Sequence, residues 1–502
     1  MRESGMLMPI FSLPSRYGIG SFSKEAFEFV DFLERSGQGF WQILPVGPTG
    51  FGNSPYQPFS AFAGNPYFIS IEGLIEEGYL TYEEADSYNF GDDCEKVDYG
   101  ALYENRFDIL HKACENFMEA VKKDEELKEK FDDYLIKESF WLVDYALYTA
   151  IKAHENGCSW LDWDEDLKKK DALAIAKLKE EEKFSSEIDF VYFCQYMFDA
   201  QWKKLREYAN EKKVKIIGDL PFYVSLDSAD AWAHPEVFLM DKDLTPTVVA
   251  GCPPDAFSST GQLWGNPIYD WAALKADKYD WWVRRIKRNY QFYDVIRIDH
   301  FHGFCDYYAV PYEDETAVNG KLEKGPGMDL FGELKKQISD LKIIAEDLGN
   351  MTPENEKLLK DTGFPGMKVL QYGFTSWDSC YVNHRHTQNC VVYTGTHDNT
   401  PTRAWVEEIN DGERDFTRRY INSLNSDYGQ LVWDIIREAY RSVADLCIIP
   451  LWDYLCLGKE ARINSPGTSE GNWQWRLRPN FLSNELAGSI RGLAEVYSRI
   501  PK

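Results

Sequence analysis

The sequence predicts an α/β barrel built on a parallel sheet, and three observations predict it. Short apolar runs end in polar or charged residues, and amphipathic helix patterns lie between them. Three consecutive runs late in the chain recur about every 25 residues, close to one strand plus one helix, which favours a barrel over a sandwich.

The strand candidates occupy residues 39–45, 214–219, 294–299, 341–347, 367–371, 390–394 and 446–450. Such apolar runs suit strands covered on both faces of a parallel sheet. Among the helix patterns, Phe22, Ala26, Phe29, Val30 and Leu33 follow the α-helical period, and Leu330, Phe331, Leu334 and Ile338 make a second stripe. Thr352-Pro353-Glu354 reads as a cap followed by proline in the first turn, and residues 427–444 and 484–500 also read as helices. The alternation breaks between residues 72 and 190, a charged, helix-rich stretch expected to be an insertion between early barrel strands. A Gly-, Pro- and Ser-rich stretch at 250–267 is expected to be an irregular loop on the catalytic rim.

The chain has 502 residues, 44% of them hydrophobic, with 16 Trp, 30 Tyr and 30 Phe, which is ample for a large core. Its formal charge of -27 opposes nucleic acid and anionic membrane as partners, since both need positive potential. A neutral polar ligand meets no such conflict. The opening residues reach proline and glycine before a signal-like apolar run develops, and no stretch approaches the roughly 20 apolar residues of a membrane helix. The 10 cysteines include no CxxC pair, so free thiols in a reducing cytoplasm are expected.

The strongest strands end in acids: Asp219, Asp299 and Glu346, with Asp398 closing the 391–397 segment. In a parallel barrel the C-terminal strand ends surround one cavity, so acids distant in sequence converge there. Such a group suits glycosidic chemistry, in which the leaving oxygen needs a proton and the developing oxocarbenium centre needs an anion or nucleophile. One carboxyl must hold a proton where the other does not, so their surroundings must differ. Arg297 shares a strand face with Asp299 and is expected to keep it ionised; Glu346 follows apolar residues whose burial favours the protonated form.

Rival chemistries fit less well. His300, His302 and His397 with one aspartate suggest a zinc site, but there is no HExxH, and His300 is adjacent to Asp299 and points away from it. His302 reads as a satisfied polar residue, and His397 as a hydrogen-bond donor to sugar hydroxyls. A GxGxxG after a strand, a GxSxG elbow and a Walker sequence are all lacking, so no cofactor and no metal is expected. Trp264, set among amides at residues 261–267, suits a neutral, hydroxyl-rich ligand.

Several motifs run in order through almost all of the chain. They include Ser12-Leu13-Pro14, Tyr17-Gly18-Ile19-Gly20, Trp41-Gln42-Ile43-Leu44-Pro45 and Gly52-Asn53-Ser54-Pro55-Tyr56-Gln57. Gly218-Asp219-Leu220-Pro221, Arg297-Ile298-Asp299-His300-Phe301 and Ala345-Glu346-Asp347-Leu348-Gly349 follow, then Gly395-Thr396-His397-Asp398-Asn399 and Glu460-Ala461-Arg462-Ile463-Asn464. With them the sequence closely resembles the 4-alpha-glucanotransferases of glycoside hydrolase family 77, the amylomaltases or disproportionating enzymes.

That resemblance implies one catalytic (β/α)8 TIM barrel over residues 1–502, with inserted helical subdomains and no C-terminal β domain. It implies Asp299 as nucleophile, Glu346 as acid/base and Asp398 as the third carboxylate, with Arg297 and His397 as companions. Asp219 would support the donor site, Tyr56, Trp264 and Asn464 would be sugar-binding positions, and the 250–267 segment would cover the acceptor groove. The implied partners are maltooligosaccharides, amylose and starch- or glycogen-derived alpha-1,4-glucans, with glucose as an acceptor. His302, Tyr308, Trp452, Cys456 and Thr400-Pro401 depart from the common family pattern, away from the three acids. The rival activities are a hydrolase of the alpha-amylase clan and a non-catalytic glucan-binding protein.

Overall fold

The computed structural model describes residues 2–50, 52–254, 258–349, 351–423, 427–468 and 470–501. Residues 255–257, within the segment read as the rim loop, lie outside the described residues. The described strands are β1 (Glu3–Leu7), β2 (Phe40–Gln42), β3 (Lys215–Leu220), β4 (Val248–Cys252), β5 (Gln262–Pro267) and β6 (Val295–Ile298). They continue with β7 (Asp306–Pro311), β8 (Lys321–Lys324), β9 (Ile343–Ala345), β10 (Gly366–Val369), β11 (Cys390–Tyr393) and β12 (Leu446–Pro450).

Eight of these strands are parallel neighbours in the order β10-β11-β12-β1-β2-β3-β6-β9. The ring closes between β9 and β10, where the Ala345 N–H donates to the Pro365 carbonyl at 2.9 Å. Asp347 reinforces that seam, its Oδ1 accepting from the Met367 N–H at 2.6 Å. Helices surround the sheet, so the barrel strands are covered on both sides and read as continuous apolar runs.

The seven strand candidates correspond to β2, β3, β6, β9, β10, β11 and β12. β1 escaped sequence reading because Glu-Ser-Gly-Met-Leu has neither an apolar run nor a clean alternation. Pairing with β12 on one side and β2 on the other makes it a strand. Arg499, from the far end of the chain, fixes it further by donating to the carbonyls of Glu3 at 3.1 Å, Tyr440 at 3.0 Å and Ser442 at 2.8 Å.

The helix patterns appear as Lys24–Arg35, Met328–Gln337, Pro353–Thr362, Tyr428–Arg441 and Asn484–Val496. Thr352 caps its helix, Oγ1 accepting from the Asn355 N–H at 3.2 Å, with proline in the first turn. Between β2 and β3 the chain is helical from Ile71–Glu76 through to the 30-residue helix Glu182–Glu211. That long helix is bolted to helix Asp280–Phe292 by Arg288, which donates to both oxygens of Asp199 at 2.8 Å. No described helix is long and apolar enough to cross a membrane.

The 250–267 segment departs from the irregular loop expected of it. β4 and β5 run antiparallel and join β7 and β8 in a second sheet of order β5-β4-β7-β8. Glycine and proline concealed the strands, yet glycine serves the pairing: a Cβ on Gly251 would meet the Gln262 carbonyl oxygen at 2.5 Å.

Close approach of this kind also shapes the barrel beside Asp219. A Cβ on Gly218 would lie 2.2 Å from ring carbons of Tyr293. Gly218→Ala is expected to lower stability by about 1–3 kcal/mol through overpacking, read as a drop in the urea midpoint. An unchanged midpoint would show that the ring has room to yield.

Candidate active site

The barrel delivers its acids to one end. Asp219 lies within β3, and Asp299 and Glu346 immediately follow β6 and β9. β3, β6 and β9 are consecutive in the ring, and Asp219 is registered directly beside Arg297. Arg297 Nη1 donates to both oxygens of Asp219 at 2.7 Å and to Asp299 Oδ1 at 3.1 Å. Its Nε reaches Met367 Sδ at 3.4 Å. Arg297 and Asp219 are 3% and 1% exposed, so their charges are matched inside the protein, whereas the Asp299 side chain keeps 30% of its exposure.

The network continues from Asp219 to the far side of the site. The Tyr56 hydroxyl donates to Asp219 Oδ2 at 2.9 Å and lies 2.8 Å from His397 Nε2. The two rings stack at 5.2 Å. His397 Nε2 is 3.2 Å from Asp398 Oδ2, and Asn464 Nδ2 donates to Asp398 Oδ1 at 2.7 Å. His397 is buried, and its Nε2 lies between the Tyr56 hydroxyl and Asp398.

Glu346 enters through the backbone. Its Oε2 accepts from the His300 N–H at 2.8 Å and its Oε1 from the Leu348 N–H at 2.9 Å. His300 has a left-handed backbone, φ 50°, which turns the chain out of β6 directly after Asp299. Its ring packs on His302 at 4.0 Å and edge-on to Trp264 at 5.1 Å. Burial and His302 hold His300 well below the usual histidine range. All nine residues singled out in the sequence therefore belong to one connected site, with Trp264 at its edge.

The three acids differ in acidity for separate physical reasons. Burial and the Asp299 charge raise Glu346 to about 7, against the pull of Arg297 and the two backbone donors. Burial also raises Asp299, to about 6, with Asp219 and Asp398 adding to the effect; Arg297 only partly offsets them. Arg297 pulls Asp299 toward the ionised form, as its place on the same strand face leads one to expect, while burial works against it. Burial disfavours the charge on Asp398 too, but His397 and the Asn464 hydrogen bond overcome it and hold this carboxyl well below its usual range.

Several groups escaped the sequence reading. Asn399 Nδ2 donates to the Tyr372 hydroxyl at 3.0 Å, while its Oδ1 accepts from the Thr396 N–H at 2.9 Å, shaping the turn that carries Asp398. Asp453 braces the same turn, accepting from Thr394 Oγ1 at 2.5 Å and from the Thr402 N–H at 2.8 Å. Trp473 lies 5.8 Å from Tyr56. Tyr372, one residue past a predicted strand, carried the same positional signal as the acids.

Comparison with known proteins agrees with this geometry. The family profile for 4-alpha-glucanotransferases, glycoside hydrolase 77, matches residues 8–483. The chain is 47% identical over 494 residues to the 4-alpha-glucanotransferase of Clostridium butyricum, covering 98% of this chain and 100% of that one. It is 39% identical over 505 residues to the chloroplastic/amyloplastic 4-alpha-glucanotransferase of Arabidopsis thaliana, covering 99% of this chain and 86% of that one. Among solved structures, the amylomaltase of Streptococcus agalactiae in complex with acarbose superposes with a TM-score of 0.96 at 40% identity, covering 100% of both chains. Sequence and fold therefore agree over the whole barrel: the chain belongs to the 4-alpha-glucanotransferases of glycoside hydrolase family 77.

Proposed function

We propose that this 4-alpha-glucanotransferase moves alpha-1,4-glucan segments by retaining double displacement, with Asp299 as nucleophile, Glu346 as acid/base and Asp398 as the third carboxylate. The observation that carries this reading is the pairing of two acids at adjacent strand ends, the one more ready to hold a proton being Glu346. Asp299 attacks the anomeric carbon while Glu346 gives its proton to the departing glycosidic oxygen, forming a covalent glucosyl-enzyme. The reducing-end fragment leaves. Glu346 then removes the proton from the 4-hydroxyl of an incoming glucan or glucose, which attacks the anomeric carbon, restores the alpha-1,4 bond and frees Asp299.

The remaining residues divide by exposure. Asp219, Arg297, Tyr56 and His397 position Asp299 and Asp398 through their contacts with one another. Asp398, its side chain 39% exposed, is free to hold sugar hydroxyls as the ring distorts, with Asn464 orienting it. The 250–267 segment and Trp264 are assigned to the acceptor side, and the helices of 72–190 to an insertion outside the catalytic ring. Maltooligosaccharides and starch- or glycogen-derived glucans are the proposed substrates, and the sparse cysteines support a cytoplasmic setting.

Incubation with maltotriose should yield glucose together with longer maltooligosaccharides. Net growth in total reducing ends would instead mark a hydrolase, and unchanged sugar a binding protein. Asp299→Asn and Glu346→Gln should each lower kcat by at least about 100-fold with the urea midpoint retained; near-normal turnover by either variant would remove its assigned role. The pH dependence follows from the two raised pKa values. Because Asp299 must be deprotonated and Glu346 protonated, kcat/KM should rise through about 6 and fall through about 7. A profile flat from about pH 5 to about pH 8 would contradict that division.

A further inference from the structure

Trp377 is 69% exposed, and no other tryptophan is exposed to this degree. Exposing so large a ring forgoes the burial that stabilises the others. Its position in the ring of strands is informative. Trp377 lies in the connection that leaves β10, and β10 stands between β9, which delivers Glu346, and β11, which leads to Asp398. In a parallel barrel, the connections that follow the strands emerge on the face that bears the acids.

A hydrogen bond ties this connection to the neighbouring turn that carries Asp398. The Tyr372 hydroxyl accepts from Asn399 beside Asp398 at 3.0 Å. The rings of Tyr372 and Tyr381 meet edge to face at 5.6 Å. Between them the chain is braced: Ser379 Oγ donates to the Tyr372 carbonyl at 3.1 Å, and the Ser379 N–H donates to the Ser376 carbonyl at 3.3 Å. Phe374 is buried against Trp405 at 5.9 Å and Tyr420 at 5.8 Å, while Trp377 projects from the same turn. Even a fully extended chain would place Trp377 within about 17 Å of Tyr372, a span that a short oligosaccharide crosses.

We propose that Trp377 is a stacking platform for a glucosyl unit remote from the scissile bond, giving longer alpha-1,4-glucans an advantage over maltotriose. The proposal rests on the transferase reading above. An uncharged sugar fits the site because a pyranose presents a face of C–H groups to an aromatic ring and keeps its hydroxyls at the edge. A platform of this kind binds ground state and transition state alike, so it acts on KM and leaves kcat alone.

Transfer kinetics of the full chain with maltotriose and with maltoheptaose test this. In Trp377→Ala, KM for maltoheptaose should rise about fivefold to tenfold more than KM for maltotriose, with kcat for maltoheptaose retained. Trp377→Phe should recover most of the loss, and Trp377→Gln should reproduce it. An equal change on both substrates, a loss confined to kcat, or no change would overturn the proposal while leaving the transferase reading intact. Absence of transfer by the unsubstituted protein on both sugars would overturn both. A retained urea midpoint in the variants separates lost binding from lost folding.

Discussion

The site depends on one buried guanidinium. Arg297 is almost fully withdrawn from water, and such a charge is tolerated only where opposite charge and hydrogen bonds meet it. Asp219 meets it first, with both oxygens at 2.7 Å, and Asp299 shares the same nitrogen at 3.1 Å. Two carboxylates against one cation leave excess negative charge. Tyr56 answers part of it by donating to Asp219, and the same hydroxyl carries the network on to His397 and Asp398. One ion pair at the barrel end thus fixes the relative places of Asp219, Asp299, Tyr56 and His397.

The scaffold makes this possible through register. Asp219 and Arg297 are Cα partners across β3 and β6, so their side chains enter the same face with no loop conformation to be ordered. The residues that follow the strands need more support. His300 takes a left-handed backbone to leave β6, and its N–H is spent on Glu346. Asp453 and Asn399 organise the turn before Asp398, and Arg285 braces the chain beyond β3 by donating to the carbonyls of Pro221 at 2.6 Å and Phe222 at 3.0 Å. The placing of the acids depends on these supporting contacts as much as on the strands that carry them.

Burial acts on all three acids in the same direction, and neighbours decide where each one ends. Glu346 has no cation of its own and lies near Asp299, so its proton is held most firmly. Asp299 has half a claim on Arg297. Asp398 has His397 and Asn464. The gradation gives a proton donor and an anion in a single site, as glycosyl transfer requires.

Most of the barrel was legible because strands covered on both faces must be apolar along their length, and seven of the eight stand out for that reason. β1 and the β4–β5 pair did not, since Glu3 and Gly5 in one and the glycines and prolines in the other carry no such mark; partner strands alone define them. The acids were legible as polar residues closing apolar runs, and the motifs gave the family. The sequence by itself determined the strand periodicity, the acids at the strand ends and the chemistry they suit, because these depend on residue type and spacing. Only the tertiary structure decided that Arg297 is divided between two aspartates, that Tyr56 joins Asp219 to His397 and that Glu346 is held by the backbone N–H groups of His300 and Leu348. Those are properties of distance and burial, which exist only once strands remote in sequence have closed into a ring.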